Sequence, residues 1–236
     1  MRTATVTPLI PSWVHTFDDY RCMFALTDGD LNRSILDYPA GISSFNVEMH
    51  QQNHDNVVSS DPHYNLTPID MTKRVDEIIQ KLATQLKQYA HRLRESDELS
   101  KENILNAWNQ HAQLFLADYS AGQMSGRYRH ADLPKLPFGH FEFELALCSD
   151  LVFRSEKNKS PEKTIVELCR VAHEVRVFPL LDEHGEVSGA LGPTLLTLQQ
   201  QNYGIEVREV PYRLQKGSNA MLRVFVKECA VYTARQ

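Results

Sequence analysis

SILDYPAGISSFNVEMHQQNHDNVVSSDP, residues 34–62, is the stretch whose reading decides the fold. Ile35 and Leu36 start an apolar strand that ends in Asp37, and Pro39-Ala40-Gly41 makes a tight turn. Ser43 and Ser44 then stand where they can cap a helix carrying Phe45, Val47 and Met49. A second short strand, Val57-Val58, ends in Ser60-Asp61-Pro62. The unit is strand, turn, helix, strand, with a carboxylate at the carboxyl end of each strand. In a parallel sheet both acids lie on one rim, the rim at which open α/β sheets bind ligands. Asp61 follows Asp37 by 24 residues. An acid on the second strand, about 20 residues after a glycine turn, suits the ribose hydroxyls of a nucleoside cofactor.

A dinucleotide needs G-x-G-x-x-G so that backbone can approach its pyrophosphate. Here the turn supplies Gly41 alone, Pro39 replaces the first glycine, and no phosphate-loop Lys follows. S-adenosylmethionine carries no phosphate. Its carboxylate can be received at the helix N-terminus near Ser43 and Ser44. Asp37 can face its ammonium through water, and Asp61 can accept both ribose hydroxyls. The stretch therefore leans toward S-adenosylmethionine as the cofactor.

Composition sets the outer bounds. The chain has 236 residues, 42% hydrophobic and 23% charged, which suits one α/β domain over 1–236 with a substantial core. No segment has transmembrane length and the N-terminus lacks the apolar run of a signal peptide, so a cytoplasmic protein is expected. The four cysteines (Cys22, Cys148, Cys169, Cys229) form no C-x-x-C pair and are expected as reduced thiols. A net charge of −5 without a long basic run argues against a large nucleic-acid surface.

Thr16-Phe17-Asp18-Asp19 reads as a helix start, with Phe17, Tyr20 and Phe24 on one face and an end near Leu26, before Thr27-Asp28-Gly29-Asp30. This helix either covers the cofactor rim, with Tyr20 as a lid contact, or packs its aromatics on the sheet. Thr67-Pro68 opens a long helix with Val75, Ile78, Ile79, Leu82, Leu86, Tyr89 and Leu93 as its stripe. Ser100 opens another, with Ile104, Trp108, His111 and Phe115 on one face. Two long helices between consecutive strands make residues 63–125 an enlarged insertion, either a lid or substrate wall, or scaffold and oligomer surface.

Tyr128 to Ala131 reads as a short strand ending at Asp132, Leu136-Pro137-Phe138 as a turn, and Phe143 to Leu147 as a strand leading to Cys148-Ser149-Asp150. Ser160-Pro161-Glu162 caps a helix with Ile165, Leu168 and Cys169, followed by a strand from Val175 to Leu180. Gly192-Pro193 precedes a helix with Leu195, Leu196 and Leu198, which Gly204 stops. Ile205–Tyr212 and Met221–Lys227 close the chain as a strand pair joined through Gln215-Lys216-Gly217-Ser218-Asn219.

The L-P-F and F-E-L-A-L-C-S pieces resemble the third and fourth strand region of class I S-adenosylmethionine-dependent methyltransferases. Nearly the whole chain is similar to a bacterial-type stand-alone family of such enzymes, of unassigned substrate, through Tyr20, Met23, Phe24 and Leu26, then Ser44-Phe45-Asn46 and Ser60-Asp61-Pro62. The likeness continues in Asp118-Tyr119, Gly126-Arg127-Tyr128, Leu136-Pro137-Phe138 and Leu147-Cys148-Ser149. It closes with Arg170-Val171-Ala172, Glu174-Val175-Arg176, Phe178-Pro179-Leu180, Gln215-Lys216-Gly217, Asn219 and Met221-Leu222. The resemblance implies a Rossmann-like doubly wound sheet of about seven strands, mostly parallel, with an antiparallel C-terminal hairpin strand. It further implies that Asp132 meets the adenine amino group, the Leu133 backbone meets the ring nitrogens, and Cys148 and Ser149 line the methionine and ribose side.

The expected cofactor shell is thus Tyr20, Asp37, Pro39, Ala40, Gly41, Ser44, Asp61, Pro62, Asp132, Leu133, Cys148 and Ser149. The expected activity is methyl transfer to an unidentified acceptor, a small molecule before a protein or RNA. The alternatives are a non-catalytic S-adenosylmethionine- or S-adenosylhomocysteine-binding protein and a nicotinamide-dependent oxidoreductase. His63, Tyr64, His140 and Asp150 lie near the rim, but none is assigned as a catalytic base. His50 and His54, spaced i, i+4, lack the Glu and third ligand of a metal site, and no metal is expected.

Overall fold

The computed structural model describes residues 14–89, 100–154, 160–212 and 216–227. The sequence expectations at Leu93 and Gln215 lie outside them. The chain runs α1 (Phe17–Met23), α2 (Asp28–Leu31), β1 (Ile35–Asp37), α3 (Phe45–Gln51), β2 (Val57–Asp61), α4 (Pro68–Tyr89), α5 (Lys101–Ser125), β3 (Tyr128–His130) and β4 (Phe143–Ser149). It continues through α6 (Pro161–Val171), β5 (Ala172–Phe178), α7 (Leu191–Gln200), β6 (Tyr203–Glu209) and β7 (Ala220–Val226).

The seven strands form one sheet in the order β3-β2-β1-β4-β5-β7-β6. β1 pairs in parallel with β2 and β4, β2 with β3, and β4 with β5. β7 inserts antiparallel between β5 and β6. This is a mostly parallel Rossmann-like sheet, and its strand order reverses between β1 and β4. Along β4 the side chains alternate between faces: Leu145 and Leu147 join α1 and α3, whereas Ala146 and Cys148 join α6 and α7. A third apolar cluster unites α4, α5, Tyr64 and Tyr128.

The helix starts follow local chemistry. Thr16 and Asp19 form a reciprocal capping box on α1, and at the start of α4 Thr67 Oγ1 accepts from the Asp70 N–H and donates to the Asp70 carboxylate. Thr27 and Asp30 make a second box, so the segment expected as a break after α1 is the short helix α2, and α1 itself ends at Met23. Ser160, expected to cap α6, makes no side-chain capping bond, Pro161 having no N–H there to satisfy. Ser44, expected as a cap, makes no capping bond. Its hydroxyl donates to Glu48 and lies 2.9 Å from His111 Nδ1, while Ser43 Oγ accepts from the Phe45 N–H at 3.1 Å. Gly204, expected to stop α7, lies in β6; a β-carbon there would sit 2.3 Å from the Phe225 ring. α7 instead stops at Gln201 and Asn202, the latter at φ 66°. His54 lies beyond the end of α3, so it shares no helix face with His50, which pairs with Asp55.

Of the two helices in 63–125, α5 packs on α3 and β3 as a crossover helix does, and α4 packs on α5. Arg127, just before β3, ties this layer together. It makes a bidentate pair with Asp118 of α5, both bonds at 2.7 Å, and donates at 2.7 Å to Asn46 of α3. Arg127→Met leaves a nearly buried carboxylate and amide without their donor, so a loss of about 3 kcal/mol is expected. Urea denaturation checks it; a change within the few tenths typical of surface sites would show the clamp to be idle.

Candidate functional site

β1 and β2 deliver Asp37 and Asp61 to the same rim, one strand apart. The turn between β1 and α3 is pinned from both sides. Tyr38 N–H donates to Leu147 O at 2.9 Å, and Ala40 N–H donates to Ser60 O at 2.9 Å. Gly41 has φ 60°, a left-handed conformation that glycine adopts without penalty. Its N–H donates to Asp61 Oδ2 at 3.0 Å, and its carbonyl accepts from Tyr64 Oη at 2.8 Å.

The two acids have different surroundings. Asp37 is 1% exposed. Tyr20 Oη donates to its Oδ1 at 2.8 Å and Ser59 Oγ to its Oδ2 at 2.8 Å. Burial outweighs both hydroxyls and pushes the Asp37 pKa up to about 7. Of the two readings of Tyr20, a lid contact or packing on the sheet, the second matches its position: it is fully buried and its ring stacks on Phe45 at 4.2 Å. Burial, followed by the Asp37 charge, raises its phenol well above the ordinary range. Tyr20 is therefore the cover of Asp37.

Asp61 borders a cavity of about 270 Å³. One side is formed by Gly41, Ile42, Asp61, His63 and Tyr64, and the other by Met71, Arg74, Ile78, Lys81, Leu82 and Gln85 of α4. Asp61 Oδ1 accepts from the His63 N–H at 2.9 Å and lies 2.9 Å from His63 Nδ1. A carboxylate offers about four acceptor positions. The Gly41 N–H and the two His63 nitrogens use three of them, so accepting two further hydroxyls requires the exposed His63 ring to move away.

The remaining expected residues are spread along the rim. Cys148 is buried with its thiol raised by desolvation, and Ser149 ends β4 beside Tyr20. Pro39 and Pro62 are half-buried neighbours of the two acids. Asp132 is exposed and sits 3.6 Å from His130 Nε2, with half-buried Leu133 beside it. Neither borders the cavity at Asp61. Near the end of β4, His15 Nε2 lies 2.9 Å from Asp150 Oδ2, and Arg154 donates to Asp150 Oδ1 at 2.7 Å. The Arg154 charge and His15 hold the Asp150 carboxyl below the usual range despite its burial.

Sequence reading missed Ser59, Arg74, Lys81 and Gln85. Ser59 had a signal, since it precedes Asp61 by two residues on one strand and so shares a face with it. The α4 residues flank the apolar stripe but carry no motif. Among the described residues no group of three His, Cys, Asp or Glu side chains could hold a metal, and no helix is long and apolar enough to cross a membrane.

No family model matches the chain. Over 213 residues it is 28% identical to the uncharacterized protein MJ0045 of Methanocaldococcus jannaschii, which covers 87% of this chain and 91% of that one. Among solved structures it is similar to a SAM-dependent methyltransferase from Aquifex aeolicus, at 11% identity over 87% of this chain and 91% of that chain, with a TM-score of 0.40. It is also similar to magnesium protoporphyrin IX methyltransferase from Synechocystis PCC 6803, solved with SAM bound, at 11% identity, 89% and 91% coverage and a TM-score of 0.42.

The raised Asp37 pKa has a signed consequence. An unfolded aspartate ionises near roughly 3.9, and the folded one near about 7. The folded state holds the extra proton between those values, so this contribution to stability is complete below the lower value and lost as pH rises through the upper. Thermal melts from pH 5 to 8 should show Asp37→Asn gaining on the wild type as pH increases. Parallel curves would mean that Asp37 ionises normally.

Proposed function

We propose that this protein binds S-adenosylmethionine at the Gly41–Asp61 rim and transfers its methyl group to an acceptor. The observation that carries the reading is Asp61, at the carboxyl end of β2, aligned by the Gly41 N–H beside a cavity. That is the placement a ribose-binding acid needs at the carboxyl rim of a parallel sheet. The antiparallel β7 and the lack of G-x-G-x-x-G count against a nicotinamide cofactor.

Several observations bear on whether the residues fit this cofactor. Gly41 leaves open space where a β-carbon would point, and its φ keeps that space clear. Ser43 is engaged elsewhere, its hydroxyl donating to His15 O at 3.0 Å. When bound, S-adenosylmethionine supplies a methyl group already activated by a sulfonium. The chain's part is then to bind and orient. Asp61 holds the ribose hydroxyls once the His63 ring yields. Asp132, Leu133, Cys148 and Ser149 extend the shell along the rim with Pro39, Ala40 and Pro62, and Ser44 stands at the start of α3. Tyr20, stacked on Phe45, keeps water from Asp37. Orientation of two reactants can lower a barrier by about 7–11 kcal/mol in the best intramolecular cases, so no base is assigned. The acceptor is a small molecule, 63–125 supplies the wall over the site, and the protein acts in the cytoplasm.

A second reading, a non-catalytic binder of S-adenosylmethionine or S-adenosylhomocysteine, is favoured by one observation: Asp37 is sealed from the rim by Tyr20. Turnover with any acceptor excludes it.

Isothermal titration with S-adenosylmethionine, S-adenosylhomocysteine and NAD tests the cofactor. Both sulfur compounds should bind and NAD should not. Asp61→Ala should weaken binding roughly tenfold to a hundredfold, the cost of losing hydrogen bonds to a charged group. His63→Ala should not weaken it, because the ring competes for the same carboxylate. NAD binding alone would overturn the reading.

A further inference from the structure

The cavity beside Asp61 has a basic wall that the cofactor reading does not use. Ten arginines fall within the described residues, and Arg74 is the one among them that makes no ion pair. Its neighbour Lys73 pairs with Asp70 at 3.0 Å, so that acid is already engaged. Lys81 lies two helical turns beyond Arg74, on the same face of α4, and also makes no ion pair among the described residues. Both border the cavity, together with Gln85, whose amide oxygen is buried without a hydrogen-bond partner among the described residues. The apolar lining comes from Ile42, Ile78 and Leu82.

A half-buried guanidinium with no carboxylate is unusual, because Arg is the side chain best suited to binding planar anions in two-point contacts. The acid on the opposite wall, Asp61, is held by Gly41 and His63 and forms no ion pair with Arg74. The cavity is therefore acidic on the rim side and basic on the α4 side, with an apolar middle. Its volume of about 270 Å³ is close to the lower end of small-molecule sites, roughly 300–1,000 Å³.

We infer that this cavity receives the methyl acceptor, and that the acceptor is a small molecule bearing a carboxylate or phosphate group, which Arg74 and Lys81 neutralise while its apolar part lies against Ile42, Ile78 and Leu82. The inference rests on the methyltransferase reading for the word acceptor; anion selectivity at the cavity is a separate property. Gln85 supplies a polar contact for a hydrogen-bond donor on the same ligand. The acidic overall balance and the size of the cavity favour a small acid over a nucleic-acid strand.

The test uses the whole protein saturated with S-adenosylhomocysteine, and ligand-observed NMR titrations with hexanoate, hexyl phosphate and the neutral hexanamide. At least one anion should bind about tenfold or more tightly than hexanamide, and the stronger of the two identifies the headgroup. The double variant Arg74→Gln, Lys81→Gln, checked for an unchanged melting temperature, should lose that preference and keep its affinity for S-adenosylhomocysteine. Equal binding of anions and amide, or a preference that survives the double substitution, would overturn the inference. So would loss of S-adenosylhomocysteine affinity in the double variant, which would give the basic pair to the cofactor. If the wild type binds no S-adenosylhomocysteine, the methyltransferase reading fails instead; the same titrations on the protein alone then decide the anion site.

Discussion

A carboxylate buried at the end of the central strand constrains everything around it. Asp37 closes β1, where the strand order reverses, and an ionised or protonated carboxyl there must be matched by donors. The two that match it come from different elements, Tyr20 from α1 and Ser59 from β2. Satisfying Asp37 therefore docks the first helix over the rim and sets the register of the second strand beside it. The Tyr20 ring then stacks on Phe45 and meets Phe24 at a tilt, which joins α1 to α3 in one apolar cluster with β4. The same rim that is closed at Asp37 is open at Asp61, and this division gives the site its shape.

Many residues that carry the family resemblance turn out to be clamps between elements. Asn46, Asp118 and Arg127 join α3, α5 and the start of β3. Arg170 of α6 donates to the carbonyls of Leu136 and Phe138 at 2.9 and 2.8 Å, holding the L-P-F turn against the helix. Arg176 of β5 binds Asp30, Glu174 and the Phe24 carbonyl, fastening α1 and α2 to the sheet. Tyr119 reaches the Leu66 carbonyl at 3.1 Å and so orders the segment that follows Asp61. Buried polar groups of this kind are costly to leave unpaired, so they serve the fold and bear on chemistry only by positioning the rim.

The fold was legible because strand periodicity, turn residues and the two strand-end acids agreed from Ser34 to Pro62. What sequence reading missed was set by contacts between distant segments. Whether Ser44 caps α3 depends on Glu48 and on His111, which lies 67 residues away. Gly204 reads as a helix stop until the Phe225 ring is placed against it. Tyr20 reads as a lid contact or as packing on the sheet, because an aromatic stripe does not reveal how deeply it is buried. The basic wall of α4 was invisible, since lone Arg and Lys residues on a helix ordinarily face solvent, and its meaning depends on which ion pairs do not form. Asp61 alone could be placed from both ends, by its strand and by its distance from the turn.

A crystal structure of the protein grown with S-adenosylhomocysteine tests most directly whether Asp61 is the ribose acid proposed above. Both ribose hydroxyls should lie within hydrogen-bonding distance of the Asp61 carboxylate, with the His63 ring turned away and Tyr20 still on Asp37. Ligand density elsewhere on the molecule, with Asp61 still bound to His63 and Gly41 alone, would contradict that assignment.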